Sequence, residues 1–130
     1  MPEVRDFMIK DVLTIESTQS VLQAAVLMTE RGEGSIVVIE GGAVKGIVTE
    51  RDLLFKVTAK HMDSAELKVT EIMSSPLISI DPQASIREAT KIMIDNKIRR
   101  LAVMTDGALV GMISVWDVTQ SILNTIARDN

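Results

Sequence analysis

The stretch Gly46–Asp52, GIVTERD, returns 65 positions later as Gly111–Asp117, GMISVWD. In each, a hydroxyl side chain follows the glycine by three places and an aspartate follows by six. The recurrence extends well beyond the motif. At the same offset Val4 falls on Val69, Met8 on Met73, Ile15 on Ile80 and Ser20 on Ser85. Ala24 falls on Ala89, Met28 on Met93, Val38 on Val103 and Ala43 on Ala108. Other pairs stay aliphatic, such as Ile36 with Leu101 and Val48 with Ile113, and no gap is needed between Val4 and Val57. An ungapped register of this length marks one supersecondary unit used twice. The chain is therefore read as repeat 1 over residues 1–65 and repeat 2 over residues 66–130, with a polar linker, TAKHMDSAELK, at about 58–68. A unit of about 55 residues buries its surface poorly alone, so the copies are expected to pack on each other.

Composition narrows the functions open to such a chain. Its 130 residues lie in the range of one small domain, and 46% hydrophobic content supplies a core. A net charge of −4 and only three aromatics (Phe7, Phe55 and Trp116) argue against a nucleic-acid partner. The absence of cysteine excludes disulfides and thiolate metal sites. No apolar run reaches the roughly 18 residues of a membrane span. The N-terminal MPEVRDFMIKD carries charges where a signal peptide needs an apolar stretch, so a cytoplasmic location is expected. With one histidine, His61, in the linker and no Ser/His/Asp or Cys/His set, an enzyme is not expected.

Each copy has the same order of elements. VLTI (12–15) and LISI (77–80) are short strand candidates. Ser20-x-x-Gln23 and Ser85-x-x-Glu88 are capping boxes that open helices. Val21, Ala24, Ala25 and Met28, and then Ile86, Ala89 and Met93, recur at helical spacing. SIVVIE (35–40) and LAVMT (101–105) read as strands. Gly41-Gly42 and Asp106-Gly107 supply the positive φ of a tight hairpin, and VKGIVT and LVGMIS return. Helices are predicted from Glu50 and from Val115, and short helices at VRDFM and VTEIM precede each copy. The fold class is α/β, a mixed β-α-β-β-α unit used twice.

The motif residues admit two readings. Thr49 and Ser114 stand where a strand passes into a helix, whose free N–H groups and positive dipole suit an anion. Asp52 and Asp117 fall in the first helical turn, where a carboxylate can accept both hydroxyls of a ribose. Gly46 and Gly111 permit either close packing or ligand approach. The same Thr-x-x-Asp and Ser-x-x-Asp spacings are also helix caps, worth about 0.5–2 kcal/mol, and need no ligand. The two roles are compatible.

These features resemble tandem cystathionine β-synthase (CBS) domains, the Bateman module, over nearly the whole chain. The resemblance is carried by GIVTERD, GMISVWD, the Met-x-x-x-Val/Leu-x-x-Ile starts at Met8 and Met73, and the duplication itself. It implies two pseudo-symmetric repeats packed through their sheets, and adenosine ligands in two clefts: AMP, ADP, ATP or S-adenosylmethionine. It also implies a regulatory sensor that passes its state to another protein, and a homodimer assembled through the helices after each motif. By the same analogy adenine would lie against Val12, Leu13, Thr14, Gly34, Ser35 and Ile36 in copy one. In copy two it would lie against Pro76, Leu77, Ile78, Ile98, Arg99 and Arg100. Thr49 and Asp52, and Ser114 and Asp117, would take the ribose and phosphate. Arg51 in copy one and Arg99-Arg100 in copy two are candidates to neutralise a phosphate. A ligand-free interaction scaffold on the same fold is the alternative.

Overall fold

The computed structural model describes residues 2–129. The elements run α1 (Val4–Phe7), β1 (Thr14–Glu16), α2 (Val21–Arg31), β2 (Ser35–Glu40), β3 (Ala43–Thr49) and α3 (Glu50–Asp52). Then come β4 (Ser79–Ile80), α4 (Ile86–Asn96), β5 (Arg100–Thr105), β6 (Ala108–Ser114) and α5 (Val115–Asp129). Two mixed three-stranded sheets result, ordered β1-β2-β3 and β4-β5-β6. In each the first pair is parallel and the second antiparallel.

The helices form as their boundary residues dictate. The Ser20 and Ser85 hydroxyls accept from the N–H groups of Gln23 and Glu88, each at 3.0 Å, which satisfies one orphan donor per helix. Val21, Ala24 and Met28 of α2, spaced to share one face, are buried with Ile36, Val38 and Val48 of the first sheet. Ile86, Ala89 and Met93 of α4 do the same with Leu101, Val103 and Ile113. Gly41 and Gly42 (φ 58° and 80°) and Asp106 and Gly107 (φ 49° and 82°) make the tight turns. A bulge follows in each hairpin, between Val38 and Ile39 and between Val103 and Met104.

The chain divides into two compact units, residues 13–77 and residues 1–12 with 78–130. These units are not cut where the sequence repeats are. Val69, which opens the second copy, is fully buried in the core of the unit holding β1–β3. Val4, which opens the first, is fully buried in the core of the unit holding β4–β6. Backbone bonds fix these leaders: Ile47 and Ser74 exchange N–H···O bonds at 3.1 and 2.9 Å, and Ile9 and Met112 at 2.8 and 2.9 Å.

Here the motif glycines find their reason. A Cβ on Gly46 would stand 2.6 Å from the Ser74 carbonyl oxygen and 2.9 Å from Met73 Sδ. One on Gly111 would stand 2.6 Å from Met8 Sδ and 3.0 Å from the Ile9 carbonyl oxygen. Of the two readings, close packing is the one realised. The glycines admit the Met8 and Met73 leaders.

The copies part after the motif. Val115 begins a regular helix of 15 residues. In copy one, α3 lasts three residues and widens into a π-helical stretch, Leu53–Thr58. Position 50 does begin the helix, as the sequence predicts, but the wide turn was not legible.

Candidate functional site

Each motif sits where the last strand of its sheet runs into a helix. In the first unit Ser35 pairs with Thr49 across β2 and β3, and the Glu50 N–H donates to the Gly34 carbonyl at 3.0 Å. The Leu13 carbonyl accepts from Val37 N–H at 3.0 Å, which sets the start of β1 beside the start of β2. Leu13, Thr14, Gly34, Ser35, Ile36, Thr49, Arg51 and Asp52 thus gather at one end of one sheet. In the other unit Arg100 pairs with Ser114, Val115 N–H donates to the Arg99 carbonyl at 2.9 Å, and Ala102 N–H to the Ile78 carbonyl at 3.3 Å. Ile78, Ile98, Arg99, Arg100, Ser114 and Asp117 gather there in the same way. Val12 belongs to the unit of the second motif, and Pro76 and Leu77 to that of the first.

The side chains of Leu13 and Ile36 are built into the first core. Their contribution to a ligand would come from the backbone. Ile98 packs against the second core, partly buried.

The hydroxyl–aspartate pairs are closed capping boxes. Asp52 Oδ2 accepts from the Thr49 N–H at 2.9 Å and the Thr49 hydroxyl at 3.3 Å. The Asp52 N–H donates back to Thr49 Oγ1 at 3.4 Å. Asp117 Oδ2 accepts from the Ser114 N–H at 2.8 Å and the hydroxyl at 3.0 Å, with the return bond at 3.3 Å. Both aspartates are buried, 6% and 8% exposed as whole residues. The capping reading is therefore realised in both copies, and it uses one carboxylate oxygen of each aspartate.

The second oxygen distinguishes the copies. Asp52 Oδ1 receives the Lys56 ammonium at 2.9 Å, and the same ammonium donates to the Ile72 carbonyl at 2.8 Å. Position 121, which aligns with Lys56, is Ser121. No donor among the described residues reaches Asp117 Oδ1. Because no fully buried side-chain oxygen among the described residues lacks a partner, that oxygen keeps some accessible surface. Lys56 was not singled out by sequence reasoning. The available signal was a lysine four residues after a first-turn aspartate, a spacing at which helical side chains meet.

The flanking residues also differ. The Arg51 guanidinium lies 4.4 Å from the centre of the Phe55 ring, a cation–π contact, instead of standing clear of the protein. Trp116, which aligns with Arg51, is 73% exposed. His61 is exposed in the linker, and no cluster of potential metal ligands occurs among the described residues.

With this geometry in view, comparison with known proteins is decisive at the level of family. The CBS domain family matches residues 4–59 and again 69–124. The chain belongs to the CBS domain family, as a tandem pair. Among relatives, the CBS domain-containing protein YhcV of Bacillus subtilis (strain 168) is 36% identical over 118 residues, covering 91% of this chain and 84% of that one. The chain spans only 58% and 53% of two further relatives. A protein with CBS domains from Burkholderia ambifaria MC40-6, ascribed to signal transduction, has a solved structure that superposes with a TM-score of 0.85 at 33% identity. That match covers 88% of this chain and 85% of the other. A hexameric CBS-CP12 protein from bloom-forming cyanobacteria matches with a TM-score of 0.85 at 30% identity, over 91% of this chain and 66% of its own. Solved relatives therefore include an oligomer. Among the described residues, no helix is long and apolar enough to cross a membrane.

Proposed function

We propose that this CBS pair is a cytoplasmic regulatory module that binds an adenosine-containing ligand at its strand-to-helix junctions and passes its state to a partner protein. The ligand class is AMP, ADP, ATP or S-adenosylmethionine. One observation carries the reading: a buried capping aspartate, Asp117, keeps a carboxylate oxygen that no donor among the described residues reaches, beside the N-terminus of a long helix. A cap alone uses only the other oxygen. A ribose hydroxyl donating to Oδ1 would complete the acceptor, beside the positive end of the α5 dipole, which suits an anion. Backbone groups at Ile78, Ile98 and Arg99 lie on the same sheet end and suit an adenine edge. The role assigned is that of a sensor and not of a catalyst.

Isothermal titration with adenosine, AMP, ADP, ATP and S-adenosylmethionine tests the reading. Binding in the micromolar range, about −8 kcal/mol, is expected for at least one of them. No heat and no melting shift with any compound at millimolar concentration would leave the scaffold reading. That second reading draws on a specific observation: the motif hydroxyls and aspartates already satisfy one another.

A further inference from the structure

The two motifs share their glycine, hydroxyl and aspartate yet differ in chemistry, and the difference at the aspartate is set outside the motif, at positions 56 and 121. We infer that only the second junction, at Ser114 and Asp117, accepts the ribose of a ligand, and that Lys56 acts as a built-in occupant of the first. The inference rests on the adenosine-ligand reading and goes beyond it by fixing which junction is competent and what closes the other.

A ribose recognised by a carboxylate donates hydroxyl hydrogens to acceptor oxygens that have room for them. At Asp52, one oxygen holds the Thr49 N–H and hydroxyl, and the other holds an ammonium at 2.9 Å. That ammonium is anchored a second time on the Ile72 carbonyl at 2.8 Å, so this half-exposed lysine is held by two acceptors. A neutral diol arriving at Asp52 must displace or share with a charged donor, which makes the stronger bond to a carboxylate. The backbone adds to the contrast, because the motif-one helix runs three residues before widening, whereas α5 presents a regular N-terminus. At Asp117 no donor among the described residues reaches the second oxygen. The oxygen is undonated, its residue is only 8% exposed, and the side chain is oriented by two bonds from Ser114. The flanking cation of copy one follows suit, since Arg51 is drawn onto Phe55.

Trp116 makes the claim measurable. It is the chain's single tryptophan, adjoins Asp117 and is 73% exposed. The experiment titrates the intact chain separately with adenosine, AMP, ATP and S-adenosylmethionine, by calorimetry and by tryptophan emission. The expected result is one equivalent per chain, with an emission change that saturates along the same isotherm. Asp117→Asn keeps a capping oxygen and removes the second acceptor, and affinity should fall at least tenfold. Lys56→Met frees Asp52 Oδ1 and should raise the stoichiometry to two. Lys56→Leu serves if the methionine variant does not fold. Two equivalents per wild-type chain, an Asp117→Asn variant that keeps wild-type affinity, or a folded Lys56 variant still binding one equivalent each overturn the one-site inference alone. A wild type that binds none of the four compounds overturns the adenosine reading and this inference with it.

Discussion

Gly46 and Gly111 look alike in the sequence but tolerate a methyl group differently. Alanine at 46 drives its Cβ into a backbone carbonyl at 2.6 Å, that of Ser74, which cannot turn aside without breaking its bridge to Ile47. Alanine at 111 meets Met8 Sδ at 2.6 Å, the movable end of a flexible side chain, and the Ile9 carbonyl only at 3.0 Å. Gly46→Ala should therefore cost more, toward the upper end of the roughly 1–3 kcal/mol typical of overpacking, and Gly111→Ala toward the lower end. Urea denaturation of both variants checks the order. Met8→Ala should rescue Gly111→Ala in part, whereas Met73→Ala should do little for Gly46→Ala. Sequence reasoning left packing and ligand approach open at these glycines for a physical reason. The neighbour that decides between them, residues 73 and 74 for Gly46, comes from far along the chain. Lys56 escaped notice for a related reason, since its importance depends on a carboxylate oxygen whose other partners only the fold reveals.

Among the elements, local chemistry was legible and tertiary exchange was not. Both Ser-capped helices, both hairpins and the helix starts after the motifs could be read because caps and turns are written in neighbouring residues. The leaders could not be placed, because Val4 and Val69 carry no local sign of which sheet they join. Each is fully buried, so Val4→Ala and Val69→Ala should each cost about 2 kcal/mol, from two lost methyl groups plus the cavity. Chemical denaturation would show this; a loss under 0.5 kcal/mol would mean that the leaders detach easily. The helix ends offer a gain instead. α2 closes on Gly32 with φ 67°, while α4 closes on Lys97 with φ 55°, at the aligned position. A side chain is strained in the left-handed region and glycine is not, so Lys97→Gly should raise stability by about 0.5–1 kcal/mol. The converse, Gly32→Lys, should lower it by a similar amount. Thermal melts of the pair would test both signs.

At the scale of the whole molecule, the question is what covers the apolar surface of α4 and α5. Val118 of α5 is buried in its own core, so that helix has already spent one face. Yet Ile94 is 70% exposed, Trp116 73%, Leu123 62% and Ile122 54%. An open groove between the two helices is lined by Ile86, Thr90, Ile94, Val118 and Ile122. Scattered apolar residues are ordinary on a surface, but an apolar groove shared by two neighbouring helices favours association. A second copy is the simplest cover, since a two-fold axis lets the same patch face itself. Light scattering should therefore give about twice the 14.2 kDa chain mass. Leu123→Glu and Ile122→Glu should each shift the assembly toward monomer without lowering the melting temperature of the monomeric fold, because both side chains point to solvent in one chain. Trp116 lies on the same helix and adjoins Asp117, so a dimer that covers it would link association to ligand occupancy. A ligand that binds the dimer and monomer unequally must shift the association constant by the same factor by which dimerisation shifts its affinity. Sedimentation at several protein concentrations, with and without saturating AMP, measures that factor. A chain that stays monomeric at high micromolar concentration in both conditions would remove the dimer and this route of signalling together.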